Sequence, residues 1–133
     1  MSSDVSDLEQ DQLVADVFAR ACSSRTILEH ITGRWGTLAL VALAEGPVRF
    51  NALRRKVDGV SEKMLAQTLQ ALERDGFVHR EAQPTIPPRV EYSLTPSGRE
   101  AAGKLRELID FVESKVPEVA AARERYDEAK ARQ

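Results

Sequence analysis

Cysteine and histidine are scarce in this chain. Its 133 residues include one cysteine, Cys22, and two histidines, His30 and His79. A single cysteine cannot close a disulfide within the chain, and these three residues are too few for a structural zinc site of the cysteine and histidine type. We therefore expect an intracellular protein that has no internal disulfide, no metal and no cofactor.

Long apolar runs are also missing. The longest covers residues 38–44, far short of the roughly 20 residues that a membrane-spanning helix needs. Residues 1–11 are acidic and contain no apolar segment of the kind found in secretory signals. The sequence thus predicts a cytoplasmic protein with no membrane partner.

The residue sets that catalysis requires are absent as well. The chain has no glycine-rich phosphate loop and no Ser/His/Asp set, and its histidines leave little for general acid–base chemistry. With 42% hydrophobic and 30% charged residues, the composition is that of an ordinary globular domain. We expect one domain with helical extensions, and we do not expect an enzyme.

Charge is unevenly distributed along the chain, although the net charge is only −2. Residues 49–99 contain nine basic and six acidic residues, a net charge of +3, whereas residues 1–24 contain five acidic residues and one arginine. A basic segment in an acidic chain is typical of a nucleic-acid surface, because lysine and arginine neutralise phosphates. An ordinary solvated helix face would give the same excess.

The first half of the chain has a helical pattern. Residues 5–21 carry a loose apolar stripe, residues 26–31 form a short helix, and residues 35–44 form a nearly all-apolar helix that we expect to be buried. Residues 48–50 fit only a short strand, and residues 51–57 predict a further helix with basic residues near its end.

Residues 61–75 are the best-specified helix. Ser61 suits the N-cap, Glu62 suits the positive end of the helix dipole, and Gly76 suits the end of the helix. We expect one side to pack and the opposite side to remain free. The packed side holds Leu65, Leu69 and Leu72, and the free side holds Lys63, Gln67, Gln70 and Arg74.

A proline-tipped hairpin and a helical tail follow. Residues 77–83 and 89–94 predict two strands, and the prolines between them predict a stiff, protruding tip. Residues 95–96 open a helix with a cap and a proline at its first position. We expect Pro117 to interrupt this helix. Residues 118–130 are helix-prone but contain few large apolar residues, so we expect them either to dock on a partner or to fray.

The order of these elements is that of a winged helix-turn-helix, a mainly α fold with a small β-hairpin. Over residues 22–98 the chain also resembles a known family. The motifs that carry the resemblance are Cys22, RTIL at 25–28, ITGRW at 31–35, GPVRFNALRR at 46–55, VSEKML at 60–65, LQALERDG at 69–76 and PPRVEYSLTPSG at 87–98. With these motifs the chain resembles the HxlR-type branch of the MarR-like bacterial transcriptional regulators.

The resemblance implies a homodimeric transcription factor that binds double-stranded operator DNA. Residues 22–99 would form the winged helix-turn-helix domain. We expect residues 1–21 to form an N-terminal helix and residues 100–133 to form C-terminal helices, both serving dimerisation, because their apolar stripes need cover.

We predict that the free side of the helix at 61–75 reads base edges. Glutamine pairs with adenine and lysine with guanine in the major groove, which admits one helix. Lys63, Gln67 and Gln70 are the predicted readers, and an ordinary solvated face is the alternative. Ser61 is predicted to cap the helix first and to contact phosphate second.

Arginines around this helix are the predicted phosphate contacts. Arg54 and Arg55 precede the turn, Arg89 stands at the base of the wing, and Arg49 is similarly placed. An ion pair with Glu81 or Glu91 is the competing explanation for Arg89.

Cys22 is a candidate sensor of oxidants or electrophiles. It lies between Arg20 and Arg25 near a helix start, and positive charge favours the nucleophilic thiolate. A small buried hydrophobe is the alternative. The resemblance implies that a redox or small-molecule effector could act here.

A winged helix used only for protein interaction is the main alternative to a DNA-binding regulator. Such modules usually lose the basic residues of the second helix and the wing. Their presence here favours DNA.

Overall fold

The computed structural model describes residues 17–19 and 22–133. The longer range contains five helices and three strands. In chain order these are α1 (Ser23–Thr32), α2 (Gly36–Leu43), β1 (Val48–Arg49), α3 (Phe50–Lys56), α4 (Glu62–Arg74), β2 (Val78–Gln83), β3 (Arg89–Leu94) and α5 (Pro96–Ala131).

The first helix begins earlier than the sequence predicts. Cys22 has an extended backbone and occupies the N-cap position, so α1 starts at Ser23, three residues before the predicted start at residue 26. Of the helix predicted over residues 5–21, only residues 17–19 are described, and they form a turn. The remainder of that predicted helix lies outside the described residues.

Helices α2, α3 and α4 build the core of the module. Leu40 and Leu43 of α2, together with Leu53 of α3, are at most 2% exposed. The turn between α3 and α4 contains Gly59 at φ +90°, a left-handed conformation that glycine adopts without strain. The prediction that α2 is buried on all sides is wrong at Leu38, which is 44% exposed and lines an open cleft together with Arg106 and Ile109 of α5.

The three strands form one antiparallel sheet in the order β1-β3-β2. The hairpin pairs Val78 with Leu94 at one end and Gln83 with Arg89 at the other. The short β1 adds a third strand by pairing Val48 with Tyr92. These pairings confirm the predicted winged helix-turn-helix, with the wing formed by β2, β3 and the loop between them.

The predicted interruption at Pro117 is wrong. Helix α5 runs without a break from Pro96 to Ala131 and contains Pro117 in its interior. Proline removes one backbone hydrogen bond, but the alanine-, glutamate- and arginine-rich segment that follows has high helix propensity and continues the helix. The C-terminal region is therefore one long helix rather than two.

The start of α5 is fixed to the end of α4. The Thr95 hydroxyl donates to the carbonyl oxygen of Gly76 over 2.6 Å, and it accepts from the backbone N–H of Gly98 over 3.0 Å. The first turns of α5 then bury Gly98, Ala102 and Leu105. The core thus extends into α5 as far as Leu105, beyond the boundary at residue 99 that the sequence suggested.

We predict that Gly98→Ala strongly destabilises the protein. A Cβ atom at this position would lie 2.0 Å from the carbonyl oxygen of Phe77, so the backbone must shift. Overpacking of this kind costs about 1–3 kcal/mol or more, and urea unfolding should show a lower midpoint. Gly103→Ala is the matched control, since no atom lies within 4 Å there and better helix propensity should raise stability by about 1 kcal/mol. Equal midpoints for the two variants would contradict the tight contact.

Candidate nucleic-acid interface

Helix α4 is held in place by its leucine side. Leu65, Leu69 and Leu72 are each at most 1% exposed and belong to the central core. The backbone N–H of Met64 donates to Ser61 Oγ over 3.1 Å, so Ser61 caps the helix. The remaining sides of α4 are therefore presented on a rigid support.

The polar side of α4 faces solvent. Lys63, Gln67 and Gln70 are exposed, and none of their side chains forms a hydrogen bond or an ion pair within the described part of the chain. Thr68 at the edge of this face is half-buried, and its hydroxyl donates to the Met64 carbonyl over 2.8 Å. The three exposed side chains are thus available to an external partner.

Three of the predicted phosphate contacts lie together. Arg49, Arg55 and Arg89 line one cleft of about 550 Å³ between the start of α3 and the base of the wing. Across residues 22–133 none of the three guanidinium groups forms an ion pair, so the alternative pairing of Arg89 with Glu81 or Glu91 does not occur. Guanidinium groups without a carboxylate partner make this cleft suitable for a phosphate.

The other basic residues of α3 have acidic partners. Arg54 lies 3.9 Å from Glu62, a pair between exposed side chains that contributes little. Lys56 donates a hydrogen bond to Glu45, and this bond, together with the positive charge of Lys56, lowers the pKa of Glu45. Of the basic residues at the end of α3, Arg55 is thus the one that faces the cleft unpaired.

The tip of the wing presents an apolar side chain that the sequence reasoning missed. Ile86 is fully exposed between Pro84 and Pro87. The Thr85 hydroxyl donates to the Pro87 carbonyl over 2.9 Å and so fixes the tip internally. Its position between prolines was the available signal, since a stiff tip cannot fold back to bury its side chain.

A second groove, of about 380 Å³, lies on another side of α4. It is lined by the turn between α1 and α2, including Arg34 and Trp35, and by Met64, Gln67 and Thr68 of α4. The Arg34 guanidinium carbon lies 4.7 Å from the centre of the Trp35 ring. Trp35 is half-buried and packs against the core.

One polar contact ties α1 to the end of α4. Nδ1 of His30 lies 2.6 Å from a carboxylate oxygen of Asp75, the C-cap residue of α4. The two residues are 45 positions apart in the chain, so no local sequence pattern indicates this contact. This hydrogen bond positions the C-terminal end of α4 relative to α1.

Cys22 stands at the N-terminus of α1. Its side chain is half-buried, and Sγ lies 2.9 Å from the Ser24 hydroxyl. The Cys22 carbonyl accepts from the backbone N–H of Thr26 over 3.3 Å. The residue is therefore part of the capping structure of α1 and remains partly open to solvent.

Other kinds of site are lacking in the described ranges. No three His, Cys, Asp or Glu side chains come together there in an arrangement that could hold a metal ion. Nor does any helix of residues 17–19 and 22–133 combine the length and apolarity that a bilayer span requires.

Comparison with known proteins shows that the sequence is similar to those of transcriptional regulators. The model of the HxlR-like helix-turn-helix family matches residues 30–120. The HTH-type transcriptional regulator YtfH of Escherichia coli is 56% identical over 117 residues, which cover 88% of this chain and 93% of the relative.

Solved structures share the fold. A structure described as the transcriptional regulator ytfH from Salmonella typhimurium is 56% identical, with a TM-score of 0.77, and the match covers 81% of this chain and 96% of that one. The redox regulator HypR in its oxidised form is 36% identical, with a TM-score of 0.64 and coverage of 70% and 96%. The protein in that structure is thus described as a redox regulator.

Proposed function

The chain belongs to the HxlR-like helix-turn-helix family, whose members are transcriptional regulators rather than enzymes, and we propose that it binds operator DNA as a homodimer. Family membership confirms the resemblance predicted from the motifs. The observation that carries the proposal is the exposed polar face of α4, supported from behind by buried leucines and flanked by arginines that lack carboxylate partners.

We infer that α4 enters the major groove and reads base edges. An α-helix with its side chains is about 10–12 Å across, which matches the major-groove width of about 12 Å. Gln67 lies between Lys63 and Gln70 along the exposed face, and none of the three has a competing partner among the described residues. The amides of Gln67 and Gln70 suit adenine, and Lys63 suits guanine.

Backbone contacts would fix the register of that helix. Arg49, Arg55 and Arg89 form the cleft at the base of the wing, and one phosphate there would meet guanidinium groups from three elements. Arg54 can contribute after releasing its weak pair with Glu62. Ser61, whose hydroxyl already caps α4, would contact phosphate only in addition to that role.

A homodimer would cover the apolar side of α5. At about 3.6 residues per turn, Leu108, Val112, Val119 and Tyr126 fall within one narrow stripe. Each is between 43% and 63% exposed, and contiguous exposed apolar surface on this scale marks an interaction site. A two-fold dimer would present its two α4 helices to half-sites about 34 Å apart.

We also infer that Cys22 makes the regulator responsive to oxidants or electrophiles. The thiol lies at the N-terminus of α1, where the helix dipole favours the thiolate, and it is partly exposed. A relative of known fold is described as a redox regulator. Because α1 also carries His30, which contacts Asp75 at the end of α4, a change at Cys22 has a direct structural route to the reading helix.

A protein-interaction module without DNA readout remains the alternative, and salt dependence discriminates between the two. Neutralised phosphates release counterions, so the affinity for DNA falls steeply with salt concentration. A winged helix that binds only protein would show no such dependence with a DNA probe.

We predict separate effects for reading and phosphate residues. Fluorescence anisotropy would use a duplex selected from a randomised pool and an unselected duplex of equal length. Gln67→Ala should lower affinity for the selected duplex by about 5- to 150-fold, equivalent to about 1–3 kcal/mol, and leave the unselected duplex unaffected. Arg55→Gln should weaken both and reduce the salt slope by about one. Arg125→Gln, at an exposed position of α5 away from the apolar stripe, is the control. Unchanged binding in both test variants would refute the assignment.

We predict that Val112→Asp dissociates the dimer. A buried carboxylate at the centre of the apolar stripe has no partner and is costly to desolvate. Sedimentation velocity at micromolar concentration should show the parent as a dimer and this variant as a monomer. Ser114→Asp adds the same charge on another side of α5 and should leave the dimer intact. A parent protein that sediments as a monomer would contradict the homodimer.

We predict that the oxidant diamide alters DNA binding through Cys22. Oxidation would join Cys22 to another thiol in a disulfide, with the hydrogens passing to diamide. Diamide should change the affinity of the parent for the selected duplex, and dithiothreitol should restore it. Cys22→Ser removes the thiol and should bind DNA equally with and without diamide. An identical diamide response in both proteins would eliminate Cys22 as the sensor.

A further inference from the structure

Two grooves of the described structure are lined by arginines that lack a carboxylate partner, and only one of these grooves belongs to the wing. Arg49, Arg55 and Arg89 line the cleft between α3 and the wing. Arg34 lies in the other groove, which is formed by the turn between α1 and α2 and by residues of α4 that include Gln67. Arg34 was not among the residues that the sequence predicted to contact DNA.

The position of Arg34 is constrained by Trp35. Its guanidinium carbon lies 4.7 Å from the ring centre, within the range of a cation–π contact. The half-buried indole is itself packed against the core, so the aromatic support is rigid. An arginine stacked in this way keeps its planar set of donors oriented outward with less conformational freedom to lose on binding.

The charge of Arg34 is not neutralised by its surroundings. Within residues 22–133, Arg34 forms no ion pair. The carboxylate that lines the same groove, Glu29, is held by Nε of Arg25 over 3.3 Å. The His30 side chain, which also lines the groove, forms a hydrogen bond with Asp75. The exposed guanidinium of Arg34 is therefore the available cation of this groove.

The geometry of a duplex gives this cation a partner. A helix about 10–12 Å across fills a major groove about 12 Å wide, so a phosphate backbone runs along each side of the helix. The wing-side cleft faces one backbone. We propose that Arg34, oriented by Trp35, binds a phosphate of the other backbone, so that each protomer holds both strands of its half-site. This inference depends on the proposed DNA binding by α4.

The first experiment compares Arg34→Gln with the parent by anisotropy over a range of salt concentrations. Loss of one phosphate contact should weaken binding to selected and unselected duplexes alike and should reduce the salt slope by about one. Arg34→Lys keeps the charge but loses the planar stacking, so it should retain the parent's slope with a smaller loss of affinity. Arg125→Gln is the control for general loss of positive charge. Thermal melting of each variant reports on folding independently.

The second experiment locates the phosphate. Methylphosphonate groups are placed one at a time along the selected duplex, which neutralises single phosphates. We expect a position on the backbone away from the wing where neutralisation weakens the parent but has no further effect on Arg34→Gln, as a double-mutant cycle requires for a direct pair. Arg34→Met, which also removes the charge, serves in the same cycle if the glutamine variant melts at a lower temperature.

The outcomes separate this inference from the function on which it depends. If the parent binds neither duplex with a salt-dependent affinity, the proposed function fails. If the parent binds DNA but Arg34→Gln keeps its slope and no phosphate is coupled to residue 34, Arg34 serves only to cover Trp35, and this inference alone is overturned.

Discussion

Burial of one side of α4 is the constraint on which the rest of the structure depends. Leu65, Leu69 and Leu72 anchor the helix in the core, and fully burying a leucine contributes about 1.5–3 kcal/mol relative to exposure. The opposite side of the same helix carries exposed polar side chains and contributes nothing to that core. Helical periodicity alone separates the leucines from Gln67 and its neighbours.

The features that the sequence predicted correctly are those that depend on near neighbours in the chain. The cap by Ser61, the strand at residues 89–94 and the start of α5 after Thr95 follow from turn chemistry and side-chain period, and the structure has each of them. Where the prediction of a single element is wrong, the cause also lies in the neighbouring residues of the chain. Pro117 was expected to end a helix, but the helix-forming residues on both sides of it outweigh the loss of one hydrogen bond.

The contacts that the sequence could not predict join residues far apart in the chain. His30 forms a hydrogen bond with Asp75, and Arg49 and Arg89 line the same cleft. Both arrangements arise only because the core sets the relative positions of their helices and strands. The pairing of β1 with β3 is of the same kind. The side-chain periodicity and the capping residues of a single segment carry no information about contacts between residues that are far apart in the chain. The local pattern was therefore enough to predict which side chains of α4 are exposed, whereas the grouping of the arginines into two grooves required the three-dimensional structure.

The net charge of the chain does not predict the charge of the surface around α4, because several acidic side chains are paired with basic side chains elsewhere in the structure. The chain carries a net charge of −2, yet several acidic side chains are engaged by bases outside the two grooves, such as Glu45 by Lys56 and Asp110 by Arg106. Arg34 and Arg55, on different sides of α4, have no such partner among the described residues. The electrostatic force on a phosphate near α4 depends on the charges close to it rather than on the total charge of the chain, since interactions beyond about 10 Å are screened in salt. An acidic chain can therefore present a cationic surface wherever its folding leaves arginines without carboxylate neighbours.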